Sequence, residues 1–117
     1  MIREITREVW ERLSNAGINV VGLLTDSTTP PVALVGIRGG RVSLSGGTSS
    51  VSIGVDLLAE DVISASEMLD GVIEALSDPS YTGRLRGVKE LSIVGVSPLE
   101  ATRSGVVVSL VMEVSFL

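Results

Sequence analysis

The chain contains no cysteine and no histidine. The first absence excludes disulfides, zinc–thiolate centres and thiol catalysis. The second removes the commonest metal ligand and the commonest general base at neutral pH. Aromatic residues are almost missing, with one Trp, one Tyr and one Phe, so any core must be aliphatic. Lys89 is the only lysine, and no run of basic residues offers a footprint for gripping nucleic acid. Long apolar runs are absent too. The most apolar stretch, GVVVSLVMEVSFL, is broken by Ser109, Glu113 and Ser115, short of the ~20 apolar residues that a membrane-spanning helix needs. The charged start, MIREITREVWERL, has no signal-peptide character.

What remains is a chain of 117 residues, the size of one domain, taken to span residues 1–117. Its mean hydropathy is +0.48, high for a small domain. One core does not readily hide that much aliphatic surface, so part of it is expected in subunit interfaces. The net charge of −5 is unevenly spread. Between Val42 and Gly83 there are seven acidic residues and no basic one, whereas the rest of the chain carries nine basic and seven acidic residues.

Periodicity gives the elements. Ile2, Ile5, Val9, Leu13 and Ala16 recur at steps of three and four, which predicts an amphipathic helix over residues 2–16 that Gly17 stops. Its other face carries Arg3, Glu4, Arg7, Glu8, Glu11 and Arg12. Strands are predicted over residues 18–24 and 32–38, separated by a loop that ends in Pro30-Pro31. Two glycine pairs, Gly39-Gly40 and Gly46-Gly47, flank a short segment and read as hairpin turns. In the next strand Val51, Ile53, Val55 and Leu57 share one face, and Ser52, Gly54 and Asp56 the other. Residues 60–77 predict a second helix, with Glu60 and Asp61 at its start, a stripe of Val62, Ala65, Leu69, Val72 or Ile73, and Leu76, and a stop at Asp78-Pro79. A flexible segment follows over residues 80–87, then a strand over 88–96 and a turn over 97–105. The last strand places Val106, Val108, Leu110, Met112, Val114 and Phe116 on one face. The expected fold is α+β, a mainly antiparallel sheet of about five to six strands with two helices packed on one face.

Three stretches invite a chemical reading. The glycine-rich segment IRGGRVSLSGGTSS resembles a phosphate cradle in composition. A phosphate loop, however, runs from a strand into a helix and ends in Gly-Lys-Ser/Thr; here no lysine follows either glycine pair, and the next element has strand periodicity. The segment reads instead as a mobile docking hairpin carried by Arg38, Gly39, Gly40, Arg41, Val42, Leu44, Gly46 and Gly47. Glu67, Asp70 and Glu74, at i, i+3 and i+7, share one helix face and with Glu60 form an acidic surface. One helix face rarely wraps a cation, so this surface reads as solvated or lumen-facing. Serines abound, but there is no histidine to activate one, and Lys89 stands beside Glu90 with no SxxK spacing. No catalytic residue, metal site or cofactor is expected, and the chain does not read as an enzyme.

The layout as a whole resembles the tail terminator, or tail completion, proteins of long-tailed bacteriophages. The resemblance covers nearly the whole chain and rests on element order and helix–strand junctions. IREITREVWERLSNAGINV opens as a helix running into a strand, and PPVALVGI is a proline-led second strand. VSIGVDLLAEDVISASEMLDGVIEALSDPSY joins a strand directly to a helix, and RSGVVVSLVMEVSFL closes as an amphipathic strand. The resemblance implies a homo-oligomer, a hexameric ring, that binds the end of the tail tube protein, stops its elongation and presents a surface to the head–tail connector, or neck. DNA would pass through the lumen without specific binding. The location implied is the virion tail, assembled in the host cytoplasm, with no membrane partner. Two other expectations stand beside it: another head–tail connector protein, and a non-viral soluble adaptor that binds through a sheet edge or an apolar sheet face.

Overall fold

The computed structural model describes residues 2–23, 28–77, 90–100 and 103–116. In chain order the elements are α1 (Ile2–Asn15), β1 (Val20–Val21), β2 (Val32–Arg41), β3 (Ser49–Ala59), α2 (Val62–Ser77), β4 (Ser92–Glu100) and β5 (Arg103–Phe116). The strands form one sheet in the order β1-β2-β3-β5-β4, antiparallel except for β1, which runs parallel to β2. Both helices lie on the same face. This is the expected α+β architecture, with five strands.

The core follows the strand alternation. Val55 pairs with Val35 on one side and with Leu110 on the other, and Ile53 pairs with Met112. These residues and Leu57, Val108 and Val114 point at the helices and are buried. Ile5, Val9 and Leu13 of α1, and Ala65, Val72 and Ala75 of α2, close the layer from above. Of the two residues left open in the α2 stripe, Val72 is buried and Ile73 is exposed. Val62, expected in the stripe, is exposed as well.

Helix α1 ends as its sequence predicts. Gly17 takes φ +85°, and the amides of Gly17 and Ile18 donate to the carbonyls of Ser14 and Leu13, at 3.1 Å each. This paired pattern satisfies carbonyls that the helix end would otherwise orphan, and only glycine takes the left-handed turn cheaply. Helix α2 starts at an Asp cap: the Ser64 amide donates to Asp61 Oδ1 at 2.7 Å.

Three expectations are corrected. The first strand is only Val20–Val21, with Leu23 exposed beyond it. The pair Gly39-Gly40 is not a turn. Strand β2 runs through it to Arg41, with a register shift between Ile37 and Gly39, and the hairpin turn comes only at residues 42–48. Glycines keep a strand possible there because the backbones crowd. A Cβ on Gly40 would stand 2.6 Å from the Ser50 carbonyl oxygen, whereas one on Gly39 meets nothing within 4 Å. Gly40→Ala is therefore expected to lower the melting temperature by roughly 4–8 °C, while Gly39→Ala leaves it unchanged or slightly raised; thermal denaturation followed by circular dichroism checks both. Finally, of the turn expected over 97–105, residues 97–100 and 103–105 are strand, and Pro98 is tolerated because β4 is an edge strand. The α2 stop at Asp78-Pro79, the segment 80–87, Val88 and Lys89 of the predicted fourth strand, Leu24 of the predicted first strand, residues 25–27 of the first loop and residues 101–102 of the predicted turn lie outside the described residues.

Candidate functional site

The glycine-rich stretch leads from β2 into β3, a strand, so the strand-to-helix geometry of a phosphate cradle is absent. Its tip is tied by two bonds to side-chain hydroxyls. The Ser43 amide donates to Ser49 Oγ at 2.8 Å, and the Gly47 amide donates to Ser43 Oγ at 2.9 Å. Gly46 makes the turn at φ +93°. These bonds set Leu44 at the apex, 97 % exposed, with Val42 also exposed beside it.

Of the residues expected to form the docking hairpin, Arg41, Val42, Leu44, Gly46 and Gly47 are exposed at or next to the turn. Arg38, Gly39 and Gly40 belong to β2. Arg38 is also committed within the chain. Its guanidinium lies across the bare backbone of Gly54 and pairs with Asp56 on β3. Placed by its sequence in the docking hairpin, it bridges two strands on the sheet face away from the helices. The projecting part of the hairpin is thus confined to residues 42–48.

The acidic residues divide by position. Glu60 precedes α2 and is exposed, and Asp61 caps the helix. The Ser64 amide and hydroxyl, bonded to the carboxylate, hold the Asp61 carboxyl below its ordinary range. Glu67, Asp70 and Glu74 are exposed along the outward ridge of α2. Among the described residues no three acidic side chains come together as a metal site would require. The hairpin and the acidic ridge do not form one site. The hairpin leaves β3 at Ser49 and α2 follows from its other end at Ala59, about 35 Å away along the strand.

The structure adds two features that periodicity does not reveal. Arg12, expected on the charged face of α1, is buried at 2 % exposure in the seam between the helices. It donates to the Leu76 carbonyl in the last turn of α2 at 2.9 Å and pairs with Glu8 at 3.5 Å. A cation is well placed there, at the negative end of the helix dipole. The physical reason for the correction is that position 12 sits on the flank of the apolar stripe facing α2, and a long side chain on that flank is covered by the neighbouring helix.

The second feature is uncovered apolar surface. One groove of about 560 Å³ lies between α1 and β2, lined by Ile2, Arg3, Thr6, Arg7, Trp10 and Ile37. A second, about 160 Å³, lies where Val62, Ser66 and Leu69 of α2 lean over Ile93 and Val96 of β4. Ile37, Val62, Ile93 and Val96 are each more than half exposed. The signal was present in α2, where Val62, Ile63, Leu69 and Ile73 make an apolar sector wider than one buried stripe. No protein-family model matches the chain, and no curated protein matches its sequence. Among the described residues no helix is long and apolar enough to cross a membrane.

Proposed function

We propose that the chain is a structural subunit of a bacteriophage tail, a terminator that assembles as a ring on the tail tube, halts its elongation and offers the surface on which the neck docks. The observation that carries this reading is the exposed aliphatic surface on both sides of the helix layer, on a sheet whose outer strands are short or uncovered. An apolar surface of this kind on so small a domain is what an assembly subunit buries against its neighbours. The order of elements, with a helix first, a hairpin projecting from β2 and β3, and a long closing strand, supports the same reading through the family resemblance. The hairpin at residues 42–48 is the contact arm. Leu44 and Val42 supply apolar contacts that are wasted in water, and Arg41 supplies a charge for a partner's carboxylate. The acidic ridge of α2 suits a channel wall past which DNA slides, because like charge prevents sticking.

Replacing residues 42–48 with Asn-Gly is expected to leave the melting temperature within a few degrees of the parent, because the paired part of the hairpin, through Arg41 and Ser50, is retained. The same variant should abolish tail completion. In a reconstitution with purified tube protein, electron micrographs should show tubes of uncontrolled length, where the parent chain gives capped ends. Tubes that are capped equally by both chains would rule out the hairpin as the contact arm. Tubes that neither chain caps would rule out the terminator reading.

A further inference from the structure

The two apolar grooves differ in the charge beside them. On α1 two of the three arginines, Arg3 and Arg7, lie on the flank opposite the acids. Arg3, Arg7 and Trp10 follow one another at steps of four and three on the flank toward Ile37, and all three line the β2-side groove. Glu4, Glu8 and Glu11 recur on the other flank, where Glu8 meets Arg12 in the helix seam. The β4-side groove has the reverse character. Asp70 lies one turn beyond Ser66, which lines the groove, Glu67 stands farther round on the outward ridge, and α2 contains no basic residue.

The grooves also occupy opposite borders of one sheet face. β1 pairs only with Ala33 and Leu34, so β2 has no described strand beside it from Val35 onward. β4 is the last strand on the other side. Ile37 is in register with Ile53, and Val96 with Val108, both core-facing positions, so the two exposed borders present their apolar side chains on the helix side alike.

We infer that copies of this chain associate head to tail, the arginine-flanked groove of α1 and β2 on one copy closing over the acid-flanked groove of α2 and β4 on the next. A two-fold contact would set Arg3 and Arg7 against their own counterparts, or the acidic ridge against itself, and like charges at a desolvated contact disfavour it. Joining unlike surfaces satisfies both borders of every interior copy and leaves an open row of copies with one free groove of each kind at its two ends, which is the condition for a ring or a filament. This assigns the subunit contact of the ring proposed above and rests on that reading only for the closure of the ring, not for the pairing of the surfaces.

The test uses the full chain and two charge-reversed variants, Arg3→Glu with Arg7→Glu, and Glu67→Arg with Asp70→Arg. All four positions are exposed, so circular dichroism should show both variants folded. In sedimentation velocity the parent should form multimers, and each variant alone should associate at least tenfold more weakly. An equimolar mixture of the two variants should recover multimers, because every contact in an alternating array is again between unlike charges. Chemical cross-linking reads the same contact separately, and the absence of native cysteine makes it clean. A chain bearing both Ile37→Cys and Val96→Cys, treated with a short bis-maleimide, should give a ladder of multimers, and either cysteine alone should give no dimer. Multimers that persist in both reversed variants, or dimers from a single cysteine, overturn the pairing of these two grooves and leave a ring joined through other surfaces standing. A parent chain that stays monomeric at hundreds of micromolar overturns both.

Discussion

Leu110→Asp is expected to unfold the protein. Leu110 is fully buried at the middle of β5, in register with Val55 of β3 and Ile93 of β4, on the face that α2 covers. An aspartate there loses the leucine's packing and forces a carboxylate either to stay charged without a partner or to take up a proton. The cost is on the order of 4–5 kcal/mol, a large part of the ~5–15 kcal/mol that holds an ordinary domain together. At roughly 4 °C per kcal/mol for a domain of this size, the melting temperature should fall by about 15 °C or more. Ser115→Asp, five residues along and on the exposed side of the same strand, should change it by no more than a degree or two. Ser109 is a poorer control, because it faces Asp56 across the ladder and a second carboxylate there would be repelled. Equal melting temperatures for Leu110→Asp and the parent would mean that β5 is set one residue out of register, since a single-residue slip exchanges its two faces.

Arg12→Ala should produce the second large loss. The guanidinium is buried, and it closes the C-terminal end of α2 through the Leu76 carbonyl while its own charge is met by Glu8. Truncation removes the aliphatic stem, leaves a void between the helices and takes the donor from a carbonyl in the seam. Together these should cost about 2–4 kcal/mol, a fall of roughly 8–15 °C in melting temperature. Arg12→Met keeps much of the stem's volume and should recover about half of that loss. The difference between the two variants separates packing from hydrogen bonding. If Arg12→Ala melts with the parent, the two helices are held by their apolar stripes alone and the cation is incidental.

These two residues mark where reading the chain succeeds and where it stops. In β3 and β5 one face is apolar without a break over four alternate positions, and that buried face fixes the register of each strand. The buried positions are therefore the ones the pattern names, Val51 to Leu57 and Val108 to Val114. The end of α1 is legible for a local reason: Gly17 must take a positive φ, and glycine does so without strain. The absence of histidine and cysteine, and of a lysine after either glycine pair, likewise narrows the chemistry before any contact is known. Arg12 is a different case. Its charge places it on the surface in any one-helix view, and only the approach of α2 covers it. Arg38 meets Asp56 because β2 and β3 pair across Gly54, 18 residues of separation that periodicity does not span. Gly39-Gly40 reads as a turn because glycine pairs suit hairpin turns, but glycine also suits a crowded strand, and the close approach of Ser50 makes it one. The two exposed grooves depend on width. α1 sits over β1 and β2 and α2 over β3 and β5, so Ile37 at one border and Ile93 and Val96 at the other keep apolar side chains that the strand pattern directs inward and that neither described helix covers. Local preference and alternation are properties of neighbouring residues, so the sequence carries them. Coverage depends on how many elements share a face and where each comes to rest, and the tertiary structure alone settles it.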